Sequence, residues 1–197
     1  MRQQARWTAA VLLAVIALAG CGGPMATASR STVNPMLARC GPAVLTLAYG
    51  PQLSPMTGEH GVLYELVNHG RLPCVLAGYP DIALYAGGAL GTALAFRYAR
   101  GGGPYVTSAP PAAVTLRPGH AVWLLVAKYR CDLGIVRNAT TIRLILPGAP
   151  RAVFTGRVVP GGAGVSELSY CRGGPADPGQ TVTVSPFESP RRATSRV

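Results

Sequence analysis

The sequence predicts an all-β fold, an immunoglobulin-like β-sandwich of roughly eight strands. Short runs rich in Val, Leu, Ile, Thr and Tyr recur at close spacing along the chain, as the strands of a sandwich do. Glycine and proline, 25 and 18 residues, are spread between those runs as turn formers rather than gathered in one linker,. No long stretch repeats its apolar residues at the helical period. With 49% hydrophobic and 13% charged residues, the chain has the material for a packed core and lacks the composition of a disordered one.

The elements follow in order. Arg2 and Arg6 precede Trp7 to Ala19, an almost wholly apolar run of 13 residues. That is short of the roughly 20 residues needed to span a bilayer and fits the h-region of an export signal. The run closes on Leu18-Ala19-Gly20-Cys21, which resembles the lipobox of bacterial lipoproteins. The resemblance implies that residues 1–20 are a signal peptide, cut off before Cys21. It also implies that Cys21 takes a diacylglyceryl group on its thiol and an acyl chain such as palmitate on its amine. Each buried CH₂ contributes about 0.8 kcal/mol, so two or more chains make a stable anchor. The alternative is an ordinary secretory signal cut after Ala26 or Ala28, with Cys21 incidental. Residues 21–39 read as a flexible tether and 40–185 as the β-domain. Residues 186–197 read as a disordered basic tail.

Within the domain, Val44–Tyr49 is the first expected strand. Gly61–Asn68 is the second and ends in the turn Asn68-His69-Gly70,. Cys74–Ala77 and Asp81–Tyr85 are separated by Gly78-Tyr79-Pro80, and Ala93–Tyr98 follows before the loop at Gly101-Gly102-Gly103. Ala113–Leu116 leads through Arg117-Pro118-Gly119 into His120–Tyr129, where Val122, Leu124 and Val126 alternate with Trp123, Leu125 and Ala127. Trp123 is read as sandwich core. Thr140–Leu146, Val153–Val159 and Thr181–Ser185 complete the set, with a Gly-rich loop over 161–178.

Cys40, Cys74, Cys131 and Cys171 remain once Cys21 is assigned to lipid. An even number in an exported chain reads as two disulfides. Three pairings are possible; nearest neighbours, Cys40–Cys74 and Cys131–Cys171, staple the two halves separately. No Cys-x-x-Cys or Cys-x-x-His spacing marks a zinc site, so no metal or other cofactor is expected. Removing residues 1–20 takes two arginines and leaves 16 basic against 7 acidic residues. The arginines stand singly apart from Arg191-Arg192, with no aromatic-basic alternation, so nucleic acid is not an expected partner.

Cys40, the strand ending in Asn68-His69-Gly70, the element Cys74-Val75-Leu76-Ala77-Gly78-Tyr79-Pro80 and the turn Leu116-Arg117-Pro118-Gly119 together resemble an actinobacterial group of exported proteins called domain of unknown function 4232. The resemblance covers residues 40 to about 185. It implies a secreted or lipid-anchored β-sandwich and no catalytic residues.

The residues offer little chemistry of their own. Only Glu59-His60 joins an acid to a neighbouring histidine, and the pair is expected in an exposed loop over Ser54–Gly61. Ser166 lacks the second glycine of a nucleophile elbow. Gly88-Ala89-Leu90-Gly91 is too sparse for a phosphate cradle. His69 and His120 flank turns, and Tyr79, Tyr85, Tyr98 and Tyr105 read as strand packing. The expected function is therefore a non-enzymatic binding or structural module, held by lipid on Cys21 at the outer face of the cytoplasmic membrane. Its partner would be an envelope protein or wall polymer; the oligomeric state is left open. One alternative is an envelope hydrolase or carbohydrate-active protein using Glu59, His60 and Asp81. Another is an electrostatic binder of anionic wall polymers.

Overall fold

The computed structural model describes residues 37–53, 58–87, 91–101, 110–159 and 167–189. Cys21, Ser166, Tyr105, Gly88 to Leu90 and the tail from 190 onward lie outside the described residues. In chain order the strands are β1 (Leu45–Leu53), β2 (Glu59–Asn68), β3 (Cys74–Leu76), β4 (Asp81–Ala86), β5 (Thr92–Ala93), β6 (Arg97–Arg100), β7 (Val114–Leu116), β8 (Ala121–Tyr129), β9 (Ile135–Asn138), β10 (Thr141–Leu146), β11 (Ala149–Arg157), β12 (Ser169–Cys171) and β13 (Thr181–Val184). Two short 3-10 turns, Gly174–Ala176 and Pro178–Gln180, lie between β12 and β13.

The fold is all-β. A five-stranded sheet, in the order β1-β2-β8-β13-β6, faces a four-stranded sheet in the order β11-β10-β4-β5. Two small ribbons, β12-β9 and β3-β7, lie beside them. Strand alternation builds the shared core. Val62, Tyr64 and Leu66 of β2 and Val122, Leu124 and Val126 of β8 point inward, with Val182 and Val184 of β13. They meet Leu84 of β4, Ile142 and Leu144 of β10 and Phe154 of β11. All strand pairs are antiparallel except β13 with β6, which run parallel.

Both disulfides form as nearest neighbours, Cys40–Cys74 and Cys131–Cys171. The first ties the start of the domain to β3. Just before Cys40, Ala38 accepts a hydrogen bond from Val75 N at 2.9 Å. The domain runs past 185. Phe187 is 2% exposed, and Glu188 exchanges both backbone hydrogen bonds with Trp123. Residues 186–188 are therefore part of the fold and not of a loose tail, because an apolar ring and a spare strand edge hold them.

Two further expectations change. Trp123 is not in the main core: alternation turns it to the outer face of the five-stranded sheet, beside a small cluster of Leu53, Leu63, Leu125 and Ala127. The run expected as one strand over Ala93–Tyr98 is two strands, β5 and β6. Leu94 and Phe96 both turn into the core where the chain crosses from one sheet to the other.

Candidate functional site around Lys128

The most unusual side chain is the only lysine of the chain. Lys128 has the same parity as Val122, Leu124 and Val126, so β8 aims it between the sheets, and it is 3% exposed. His60 stands opposite it across the β2–β8 ladder, and Glu59 stands opposite Tyr129. Glu59 and His60 thus begin strand β2 and are half-buried, not part of an exposed loop, because nine consecutive pairings with β8 carry the strand that far.

Residues from the far end of the chain close this end of the sandwich. Glu167 forms an ion pair with His60 Nδ1. Lys128 Nζ donates to the carbonyl oxygen of Tyr129 at 2.7 Å and lies 3.6 Å from Cys131 Sγ. Asp177, 4% exposed, is a hub: its carboxylate accepts from Asp132 N at 3.2 Å, Leu133 N at 3.4 Å and Gly179 N at 3.0 Å. It thereby caps the Pro178–Gln180 turn and fixes the segment after Cys131. Gln180 Oε1 accepts from Cys171 N at 3.1 Å.

Burial pushes the Lys128 ammonium down to about 8, against the opposing pull of Asp177, Glu167 and Glu59,. Burial also lifts the Glu59 carboxyl above its ordinary range, with His60 and Lys128 acting the other way. An amine titrating near 8 is a base or nucleophile close to neutral pH if a substrate reaches it. Here the side chain is closed off from solvent and aimed at a backbone carbonyl.

A test follows from the lysine. Between pH 8 and 10 the folded Lys128 has released its proton while the unfolded one, titrating near 10.5, still holds it. Stability therefore rises with pH across that window, by roughly 2–3 kcal/mol at most. Above pH 10 the trend turns down. Burial holds Tyr49 and Tyr98 protonated in the fold, the latter pushed up to about 12, while the unfolded tyrosines ionise. Melting curves over pH 7–11 are expected to show the rise in the natural protein and its loss in Lys128→Met.

The other expected residues lie elsewhere. Asp81 starts β4 in the second sheet and pairs with Arg100 at 2.5 Å. Arg100 is on β6, three strand spacings or about 14 Å from β2,. Asp81 is thus not brought to Glu59 and His60. His69 Nε2 meets Thr46 Oγ1 at 2.7 Å and His120 Nδ1 meets Pro118 O at 3.0 Å, both at exposed turns. Donor atoms of Cys131, Cys171 and Asp177 lie within 4.8 Å of one another. The two sulfurs are bonded together, so in this state they offer no thiolate to a metal,.

The sequence profile of the family described as Domain of unknown function (DUF4232) matches residues 40–188. The chain belongs to this family. The matched segment contains the Lys128 cluster and both disulfides of the DUF4232 domain. Its limits agree with the folded unit, from Cys40 to the Glu188–Trp123 pairing. No curated protein matches the chain. Apart from the cysteines, Glu59 and His60, the cluster escaped sequence reasoning. Its one available signal was Lys128 itself, a solitary lysine at an inward position of the longest alternating run.

Proposed function

We propose that the protein is a non-enzymatic lipoprotein of the cell envelope, a disulfide-stapled DUF4232 sandwich tethered by lipid on Cys21 and displayed as a binding module. One observation supports the non-enzymatic reading. Among the described residues, Lys128, His60, Glu167 and Asp177 are each engaged with a neighbouring group, and the last two join the C-terminal segment to the sandwich. Lys128 bonds to Tyr129 O, Asp177 to three amides and His60 to Glu167. The pattern Leu18-Ala19-Gly20-Cys21 behind an apolar run supports the anchor. The intact mass of membrane-extracted protein is expected to match an acylated chain starting at Cys21, and Cys21→Ala to move the protein from the detergent phase to the aqueous phase. An unlipidated mass starting elsewhere would overturn the reading.

A second reading, electrostatic binding of an anionic wall polymer, draws on the outer face of the four-stranded sheet. Arg143, Arg151 and Arg157 are exposed there. Arg143 faces Thr155 across the β10–β11 ladder, diagonal to Arg157,. Asp81, at the start of β4 in the same sheet, is paired with Arg100. Binding of a polyphosphate chain that falls steeply with salt, and is lost in Arg143→Glu, is the expected result of this reading.

A further inference from the structure

The β12–β9 ribbon carries a surface that the Lys128 cluster does not use. Among the described residues β9 pairs with β12 alone, so its second edge has no strand beside it. Seven large hydrophobic side chains are exposed among the described residues, and three of them fall within four residues: Leu133 at 68%, Ile135 at 39% and Val136 at 54%. The register slips at Val136, which has no partner on β12 between the Ile135–Cys171 and Arg137–Tyr170 pairs, and this bulge leaves its exposed side chain next to that of Ile135,. These apolar side chains are thus exposed beside an edge that no described strand covers, and such an edge is a template for pairing with another extended chain,.

The segment is held still from behind. Arg172 N donates to Gly134 O at 2.9 Å, and Asp177 takes the amides of Asp132 and Leu133. The Cys131–Cys171 disulfide lies at its root. Gly134 adopts φ +85°, which turns Leu133 out beside the strand,. A rigid edge loses little conformational entropy when a partner adds to it.

Charge selects the partner. Arg137 lies in β9, and Arg172 and Arg130 flank it, all exposed. The acid of the segment, Asp132, lies 4.0 Å from Arg130 Nε. A second copy of this strand laid antiparallel on β9 would bring two basic segments together. An acidic chain with apolar side chains at alternate positions would match both the basic rim and the Ile135 and Val136 side chains.

We propose that β9 is a docking edge for an extended segment of another protein, acidic and apolar by turns, which adds as a third strand to the β12–β9 ribbon. This deepens the binding-module reading by naming the partner class, and it does not depend on the anchor. Edge addition draws affinity from main-chain hydrogen bonds and specificity from alternate side chains.

The test uses the full chain and a labelled nine-residue peptide alternating valine and glutamate, read by fluorescence anisotropy. The peptide is expected to bind, to weaken as salt rises, and to lose about tenfold or more in affinity in Val136→Glu, as for loss of a central apolar contact. Leu72→Glu, which adds the same charge at an exposed apolar residue in the turn after β2, is expected to bind it as the natural protein does. A melting temperature for each variant separates lost binding from lost fold. No binding, equal binding of a valine–lysine peptide, or binding unchanged in Val136→Glu would overturn the proposal. So would a dimer in sedimentation that Val136→Glu dissolves, because the edge would then belong to a second copy. Cys21→Ala is expected to bind the peptide unchanged. A failure of the peptide test thus leaves the lipoprotein reading standing, and a missing acyl mass leaves the docking edge standing.

Discussion

Replacing Cys131 and Cys171 together with serine is expected to lower stability by about 4 kcal/mol and the melting temperature by roughly 8–16 °C. The bond closes a loop with a sequence separation of 40. Cutting it restores that much freedom to the unfolded chain. On loop length alone the Cys40–Cys74 bond, with a separation of 34, is worth nearly the same. The two differ in what they secure. Loss of Cys40–Cys74 frees the entry of the domain. Loss of Cys131–Cys171 also loosens the carboxylate hub at Asp177, the cover over Lys128 and the root of β9. Denaturation of the two double variants should show similar losses of stability. Only the Cys131/Cys171 variant should also weaken peptide binding at β9 and shift the lysine titration. Equal effects on all three readouts would mean that the segment is held without its disulfide.

Gly179→Ala is expected to be the most damaging single methyl group at this end of the sandwich. A Cβ there would stand 2.5 Å from the carbonyl oxygen of Arg130 and 2.6 Å from that of Tyr129. Both are backbone atoms at the end of β8 and have no rotamer through which to yield. The Pro178–Gln180 turn would have to lift off the strand. That weakens the Gly179 N–Asp177 bond and admits water to Lys128. A cost of about 2–3 kcal/mol is expected for overpacking of this kind. The lysine should titrate higher than about 8 as its burial is relieved. Gly41→Ala, where nothing lies within 4 Å of the added carbon, serves as the control and should be within about 0.5 kcal/mol of neutral,. Melting temperature and the pH dependence of stability read the two effects separately.

β2 and β8 were legible as strands because apolar, β-branched and aromatic residues run on in each. The inward set Val62, Tyr64, Leu66, Val122, Leu124 and Val126 is joined by Leu63, Leu125 and Ala127 buried on the outer face, so length and composition mark these strands more than a clean alternation does. β9 was not legible: with Ile135 and Val136 both exposed, there is no period of two to read. β12 is three residues long and is defined by its partner more than by its pattern. The turn after β2 was legible as a turn, yet the structure closes it with a side chain: Asn68 Oδ1 accepts Gly70 N at 2.8 Å, and its Nδ2 reaches Leu72 and Leu116 carbonyls. At the site, Glu59 and His60 are visible as neighbours. Their companions Glu167 and Asp177 are more than a hundred residues away, and only the strand order brings them to the same end. The two disulfides were legible because nearest neighbours in sequence are also neighbours across the ribbons they tie.

The last strand among the described residues, β13, is an interior strand of its sheet, placed between β8 and β6. Chains are made, and pass through any channel, from the N-terminus onward. While Thr181–Val184 is still inside, β8 shows a bare edge and β6 has no place in the five-stranded sheet. The five-stranded sheet therefore cannot be complete until the chain through Val184 is present. A truncation before residue 184 should therefore yield no smaller domain at all.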